Sequence, residues 1–177
     1  SLVGSPREVG KRFIIDACHK LLSLEGSPDK VGSLYVGESN RFNSLQGAPA
    51  EVVEDFKLYA LPNLKSLDCV PRKINGEFSC AKCEKLTTLQ GAPEEVGKSF
   101  YCYGCNSLKS LDGAPRIVGG TFQCSSCMNL VTLQGSPDSV EYFNCTGCPA
   151  LTSLDGAPQN IRADVNCTGC KSLTSLE

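Results

Sequence analysis

Residues Phe100-Tyr101-Cys102-Tyr103-Gly104-Cys105-Asn106-Ser107-Leu108 spell the frame F-x-C-x-x-C-x-x-L, and the chain returns to it every 21 or 22 residues. It stands at Phe78-Cys80-Cys83-Leu86, Phe122-Cys124-Cys127-Leu130, Phe143-Cys145-Cys148-Leu151 and Val165-Cys167-Cys170-Leu173. Read alone, such C-x-x-C pairs point to zinc or redox chemistry. Three earlier repeats keep the frame but change its residues: Phe13-Ile15-Cys18-Leu21, Leu34-Val36-Ser39-Phe42 and Phe56-Leu58-Leu61-Leu64. A column that accepts Cys, Ile, Val and Leu is a packing column, because no set of metal ligands survives that exchange. The cysteines are therefore expected to be free core thiols, holding no metal and no cofactor. The second of each pair is placed to donate a weak S–H hydrogen bond to a corner carbonyl. Zinc would need two neighbouring pairs per ion, and disulfides would suit a secreted chain.

The prolines mark the period. Pro6, Pro28, Pro49, Pro71, Pro93, Pro115, Pro137 and Pro158 each have an aliphatic residue three positions later and a leucine four positions before. The unit reads L-x-x-S/T-L-x-G-A/S-P-x-x-V-x-x-x-F-x-C-x-x-C. Self-similarity at this period marks a solenoid and outranks any local helix or strand assignment. F-x-C alternates with the period of a strand, and the C-x-x-L after it must bend to keep both residues inward. Glycine before the proline supplies a positive φ at the return corner. Cys69-Val70-Pro71 breaks that rule, so a positive φ at Cys69 would be strained. The fold expected is a right-handed β-solenoid, mostly strand and turn, with one parallel sheet, an extended or turn-like opposite side and little helix. It occupies residues 1–177 as a single repeat domain of about eight turns.

The phrase C-x-x-L-x-S-L…P-x-x-V-G-x-x-F-x-x-C resembles bacterial and protist leucine-rich repeats, most of all the BspA-like class. Its P-x-x-V step is similar to the repeats of secreted bacterial ubiquitin-ligase effectors. The resemblance covers essentially the whole chain and implies a leucine-rich-repeat-like scaffold whose exposed sheet binds proteins. It departs from the family in its doubled cysteine and in its G-A/S-P corner.

The net charge of −2 argues against an electrostatic grip on nucleic acid or an anionic membrane. No apolar run is long enough to span a bilayer, and no signal-peptide pattern is present. Many free thiols favour a reducing, intracellular compartment. Both ends lie at the same phase of the repeat without a polar cap, which reads as a piece excised from a longer protein.

Catalytic candidates fall away column by column. His19, beside Cys18, could suggest a nucleophile pair, but its column also holds Pro62, Pro149 and Lys171, so it is a surface corner. The carboxylate pairs Glu94-Glu95 and Glu51-Glu54 read as solvated surface. The hydroxyl column of Ser23, Ser44, Ser66, Thr88, Ser110, Thr132, Ser153 and Ser175 is expected to satisfy backbone at the bend. The tyrosines remain. Tyr35, Tyr59, Tyr101, Tyr103 and Tyr142 all fall at outward strand positions, where large stiff rings with polar tips suit an interface. The function expected is a non-catalytic, protein-binding scaffold that presents this face. Two alternatives stay open: the recognition domain of a secreted bacterial effector, and a structural spacer or surface protein.

Overall fold

The computed structural model describes residues 1–174, so Ser175 of the hydroxyl column and Leu176 of the ninth leucine position lie outside the described residues. The chain coils into stacked turns, here called rungs, and every paired strand is parallel to its neighbour. Among the described residues there is no helix.

The long arm of each rung contributes one strand to the main sheet: β1 (Glu8–Asp16), β2 (Lys30–Gly37), β4 (Phe56–Tyr59), β6 (Phe78–Ala81), β8 (Phe100–Tyr101), β10 (Thr121–Gln123), β12 (Tyr142–Asn144) and β14 (Val165–Asn166), in that spatial order. A second ladder runs along the short arm, where an extended or turn-like side was expected. Its strands are only two residues long: β5 (Lys73–Ile74), β7 (Glu95–Val96), β9 (Ile117–Val118), β11 (Ser139–Val140) and β13 (Asn160–Ile161). β3 (Glu51–Val52) extends the same arm by pairing with β2. Strands β1 and β2 run through both arms. Between Val9 and Phe13 the first repeat has one residue more than Val31 to Leu34, and the register shifts between Val9 and Arg12 to absorb it.

Register places identical frame positions on top of one another: Phe56 on Phe78, Leu58 on Cys80, Phe143 on Val165. The phenylalanines form a continuous column, with ring centroids 5.4 Å apart for Phe78–Phe100 and 5.1 Å for Phe100–Phe122, nearly parallel. Such stacking contributes roughly 0.5–1.5 kcal/mol per pair beyond area burial. The leucines at both frame positions, the aliphatic residue of the short arm and most of the prolines close the interior.

Two corners turn on left-handed residues. Gly4, Gly26, Gly47, Gly91, Gly113, Gly135 and Gly156 hold a positive φ before the proline, and Cys69 holds φ 76° in their place. Cys69 therefore carries the strain that its missing glycine implies, and it is exposed, with Pro71 less buried than the prolines of its neighbours. The bend after the strand is also left-handed, at Ala17, Glu38, Ala60, Lys82, Gly104, Ser126, Gly147 and Gly169. The hydroxyl column serves this return leg: Ser66 Oγ accepts from the Asp68 amide at 3.0 Å, and Ser44 from Gln46 at 3.1 Å. The same i+2 bond recurs at Thr88, Thr132 and Ser153.

Candidate functional site

Both C-x-x-C positions face the interior. Cys80, Cys83, Cys102, Cys105, Cys124, Cys127, Cys145, Cys148 and Cys170 are buried and free, and Cys167 is half-buried on the last rung. Cys18 is exposed, because no rung covers it. The second thiol of each of the last four pairs reaches back one rung, whereas Cys83 Sγ faces the Ala81 carbonyl of its own rung at 3.9 Å. Cys105 Sγ donates to the Cys80 carbonyl at 3.1 Å, Cys127 to Cys102 at 3.3 Å, Cys148 to Cys124 at 3.2 Å and Cys170 to Cys145 at 3.1 Å. Each acceptor belongs to the first cysteine of the preceding pair. These are carbonyls that the shortened strand ladder no longer serves, since β6 and β8 pair only at Phe78–Phe100 and Ser79–Tyr101. A buried carbonyl without a partner is costly, and a thiol is a weak but sufficient donor.

The thiols are correspondingly inert. The hydrogen bond with Cys105 draws the Cys80 thiol down, but burial and the neighbouring thiols of Cys102, Cys83 and Cys127 together outweigh it and leave the group pushed up to about 11. Burial pushes Cys148 to about 11 as well, and raises Cys102, Cys124 and Cys127 further. The thiolate is the nucleophile and the metal ligand, so these residues stay protonated at neutral pH. Among the described residues, no group of three or more His, Cys, Asp or Glu is disposed to hold a metal ion.

The outer face of the main sheet is different. Outward positions follow F and C in the frame: Tyr35 and Gly37 on β2, Lys57 and Tyr59 on β4, Ser79 and Ala81 on β6, Tyr101 on β8 with Tyr103 just past its end. Ser79 and Ala81 are small and buried, so their rung forms a floor between the tyrosines of the rungs on either side. The result is a trough of about 580 Å³ lined by Tyr35, Tyr59, Tyr101 and Tyr103, with Lys57, Glu77 and Gln123 at its margins. Gly37 is required for it, because a Cβ there would strike the Tyr35 ring. Burial, then Asp16 and Glu38, raise the Tyr35 phenol, which stays a neutral donor.

Cations fix the rim. Lys57 Nζ bridges Asp55 at 3.2 Å and Glu77 at 2.6 Å. Lys82 lies over the Tyr59 ring, 5.1 Å from its centroid, and its hydrogen bond with Tyr59 raises its own pKa. A second hollow of about 790 Å³ continues the trough toward the first rung, sharing Tyr35 and Lys57 and adding Arg12, Ile14, Asp16 and Asp55. Ile14 is 57% exposed there, a large apolar side chain open to water on a charged surface. Four of the five predicted tyrosines thus meet in one place. Tyr142 does not: it begins β12 one position before the inward Phe143, and does not line the trough. His19 is exposed at its corner, as its column implies.

No family model matches this chain, and comparison with curated proteins and with solved structures found no match. Among the described residues, no helix is long and apolar enough to cross a membrane.

Proposed function

We propose that the chain is a non-catalytic protein-binding scaffold that receives an extended partner segment along the outer face of its main sheet. One observation carries this reading: four tyrosines from three rungs converge around the small, buried Ser79, with small Gly37 and Ala81 at the neighbouring outward positions. A floor of small residues between aromatic walls accepts a partner's side chains and desolvates them, which is how few residues supply most of a binding energy. The rungs are fixed by backbone ladders, so little conformational entropy is lost on binding. The resemblance to BspA-like leucine-rich repeats supports the same choice of face.

The test is selection from a random displayed peptide library. Enriched peptides should shift the ring resonances of Tyr35, Tyr59, Tyr101 and Tyr103. They should lose most of their affinity for the Tyr101→Ser/Tyr103→Ser variant, whose melting temperature should stay close to the parent's. Binders indifferent to that double substitution would move the reading to a structural spacer.

A further inference from the structure

The charges of the short arm alternate in sign from rung to rung. Glu8, Lys30, Glu51, Lys73 and Glu95 stack in one column, and the neighbouring column holds Arg72, Glu94 and Arg116. Cross-rung ion pairs follow, Lys30–Glu51 at 2.8 Å, Lys73–Glu95 at 3.0 Å and Arg72–Glu94 at 3.1 Å. Opposite charges on facing strand positions stabilise and like charges oppose, so alternation is the arrangement a free surface favours.

The edge just past the bend breaks this rule. Lys20, Arg41, Lys65, Lys85 and Lys109 supply one exposed cation on each of the first five rungs, distributed over the two columns that flank the inward Leu21, Phe42, Leu64, Leu86 and Leu108. The one carboxylate between the bend and the hydroxyl column is Glu84. Among the described residues, none of the five cations forms an ion pair. Arg41, Lys65 and Lys85 line one hollow of about 430 Å³ with Asn43 and Asn63, and Asn63 Oδ1 holds the Lys85 ammonium at 2.6 Å. The carboxylates on the next corner do not pair with them: Glu25 accepts from Gln46 at 3.4 Å, Asp112 from Ser110 at 2.7 Å, and among the described residues neither they nor Asp68 form an ion pair. On the sixth rung the line of cations ends and becomes apolar, with Met128 50% and Val131 47% exposed.

We propose that this edge is a second docking surface, separate from the tyrosine trough, for an extended acidic peptide segment that continues into apolar residues. Five rungs span about 19 Å at the inter-strand spacing, the length of about six extended residues. Carboxylates on such a segment would pair with cations that are otherwise unmatched, and its apolar end would cover Met128 and Val131. That apolar continuation favours a peptide over a nucleic acid or a sulfated glycan, either of which would leave it bare.

The probes are hexaglutamate, hexaglutamate extended at either end by Leu-Val-Leu, a short oligothymidylate and a heparin oligosaccharide, measured by fluorescence anisotropy at low and physiological salt. An extended peptide should bind most tightly and weaken as salt rises. Arg41→Glu/Lys65→Glu/Lys85→Glu should weaken it at least about tenfold. Lys98→Glu/Arg116→Glu/Arg162→Glu, with the same change in net charge, should not. Met128→Ser/Val131→Ser should remove the advantage over hexaglutamate alone. Tyr101→Ser/Tyr103→Ser should leave binding unchanged, which separates this surface from the sheet face. Equal loss in the two charge-reversal variants, tighter binding of oligothymidylate or heparin, or no peptide binding at low salt would overturn the proposal.

Discussion

The first three rungs and the last four solve the same packing problem with different atoms. In the early rungs Ile15, Val36 and Leu58 fill the inward strand position and the strands are long, nine residues in β1 and eight in β2. There the backbone ladder runs on past the inward residue: β4 and β6 pair through four rows, from Phe56–Phe78 to Tyr59–Ala81. In the late rungs the same position is cysteine and the strands shrink to two or three residues. The carbonyls that lose their amide partners are taken by thiols of the following rung. The second column records the same division. It holds exposed Cys18, then Ser39 and Leu61 early, where Ser39 Oγ donates to the Gly37 carbonyl at 2.8 Å, and an unbroken run of cysteine from Cys83 onward. The doubled cysteine is thus a packing residue that doubles as a hydrogen-bond donor, which Ile, Val and Leu are not.

The strongest way to break this comparison is to place a charge in the late column. Cys124 is 0% exposed, so Cys124→Asp should unfold the local stack at a cost of about 4 kcal/mol or more, read by chemical denaturation. Cys124→Ala should cost roughly 1–2 kcal/mol as a small cavity, and Cys124→Val should do less harm, since Val36 fills that position on the second rung.

The second cysteine sharpens the comparison. Cys127→Val removes the donor to the Cys102 carbonyl and should cost about 1–3 kcal/mol in denaturant melts, the penalty of a buried unpaired group. Cys127→Ser, following Ser39, keeps a donor and should recover most of it. Equal losses would show that the thiol bond contributes nothing.

Alkaline pH should act most strongly on the late rungs, where the buried thiols are concentrated. Folding raises these thiols above their ordinary value of 9.0, to about 11 at Cys80 and Cys148. Above pH 9 the unfolded chain releases thiol protons that the folded chain retains. Stability from this source is therefore full below pH 9 and falls as pH rises toward 11. The melting temperature should drop across that window, and amide exchange should speed up from β8 onward before it does in β1 and β2.

Part of this division was legible in the residues. Exchange of Cys80 for Leu58 or Val36 down one column identifies a core position without any coordinates, and the proline period gives the rung. The second ladder was not legible, because a two-residue strand such as Glu95–Val96 has no periodicity of its own. The left-handed bend was not either: Ala17, Glu38, Ala60, Lys82 and Ser126 give no sign of a positive φ, and only Gly104, Gly147 and Gly169 hint at it. Four tyrosines of the trough could be found by their outward phase. Tyr142 was grouped with them because phase gives the face of a strand and not the distance along it. The floor of Gly37, Ser79 and Ala81 becomes visible only when rungs are laid side by side. The cation line does not show as a repeat position because its residues are divided between two columns.

A smaller effect is expected where the early and late halves meet. Cys69→Gly relieves a left-handed cysteine at φ 76° and should raise stability by about 1 kcal/mol, seen as a higher denaturation midpoint with an unchanged slope.

The central claim is that the paired cysteines are free thiols locked in the core, and counting reactive thiols tests it most directly. With a water-soluble thiol reagent at neutral pH, Cys18 and Cys69, the two exposed thiols, should react at once, with half-buried Cys167 next. The remaining thiols should react only after denaturant is added, bringing the total to 12. A protein that yields no free thiols in denaturant until it is reduced, or one that releases stoichiometric zinc as the thiols appear, would contradict the account.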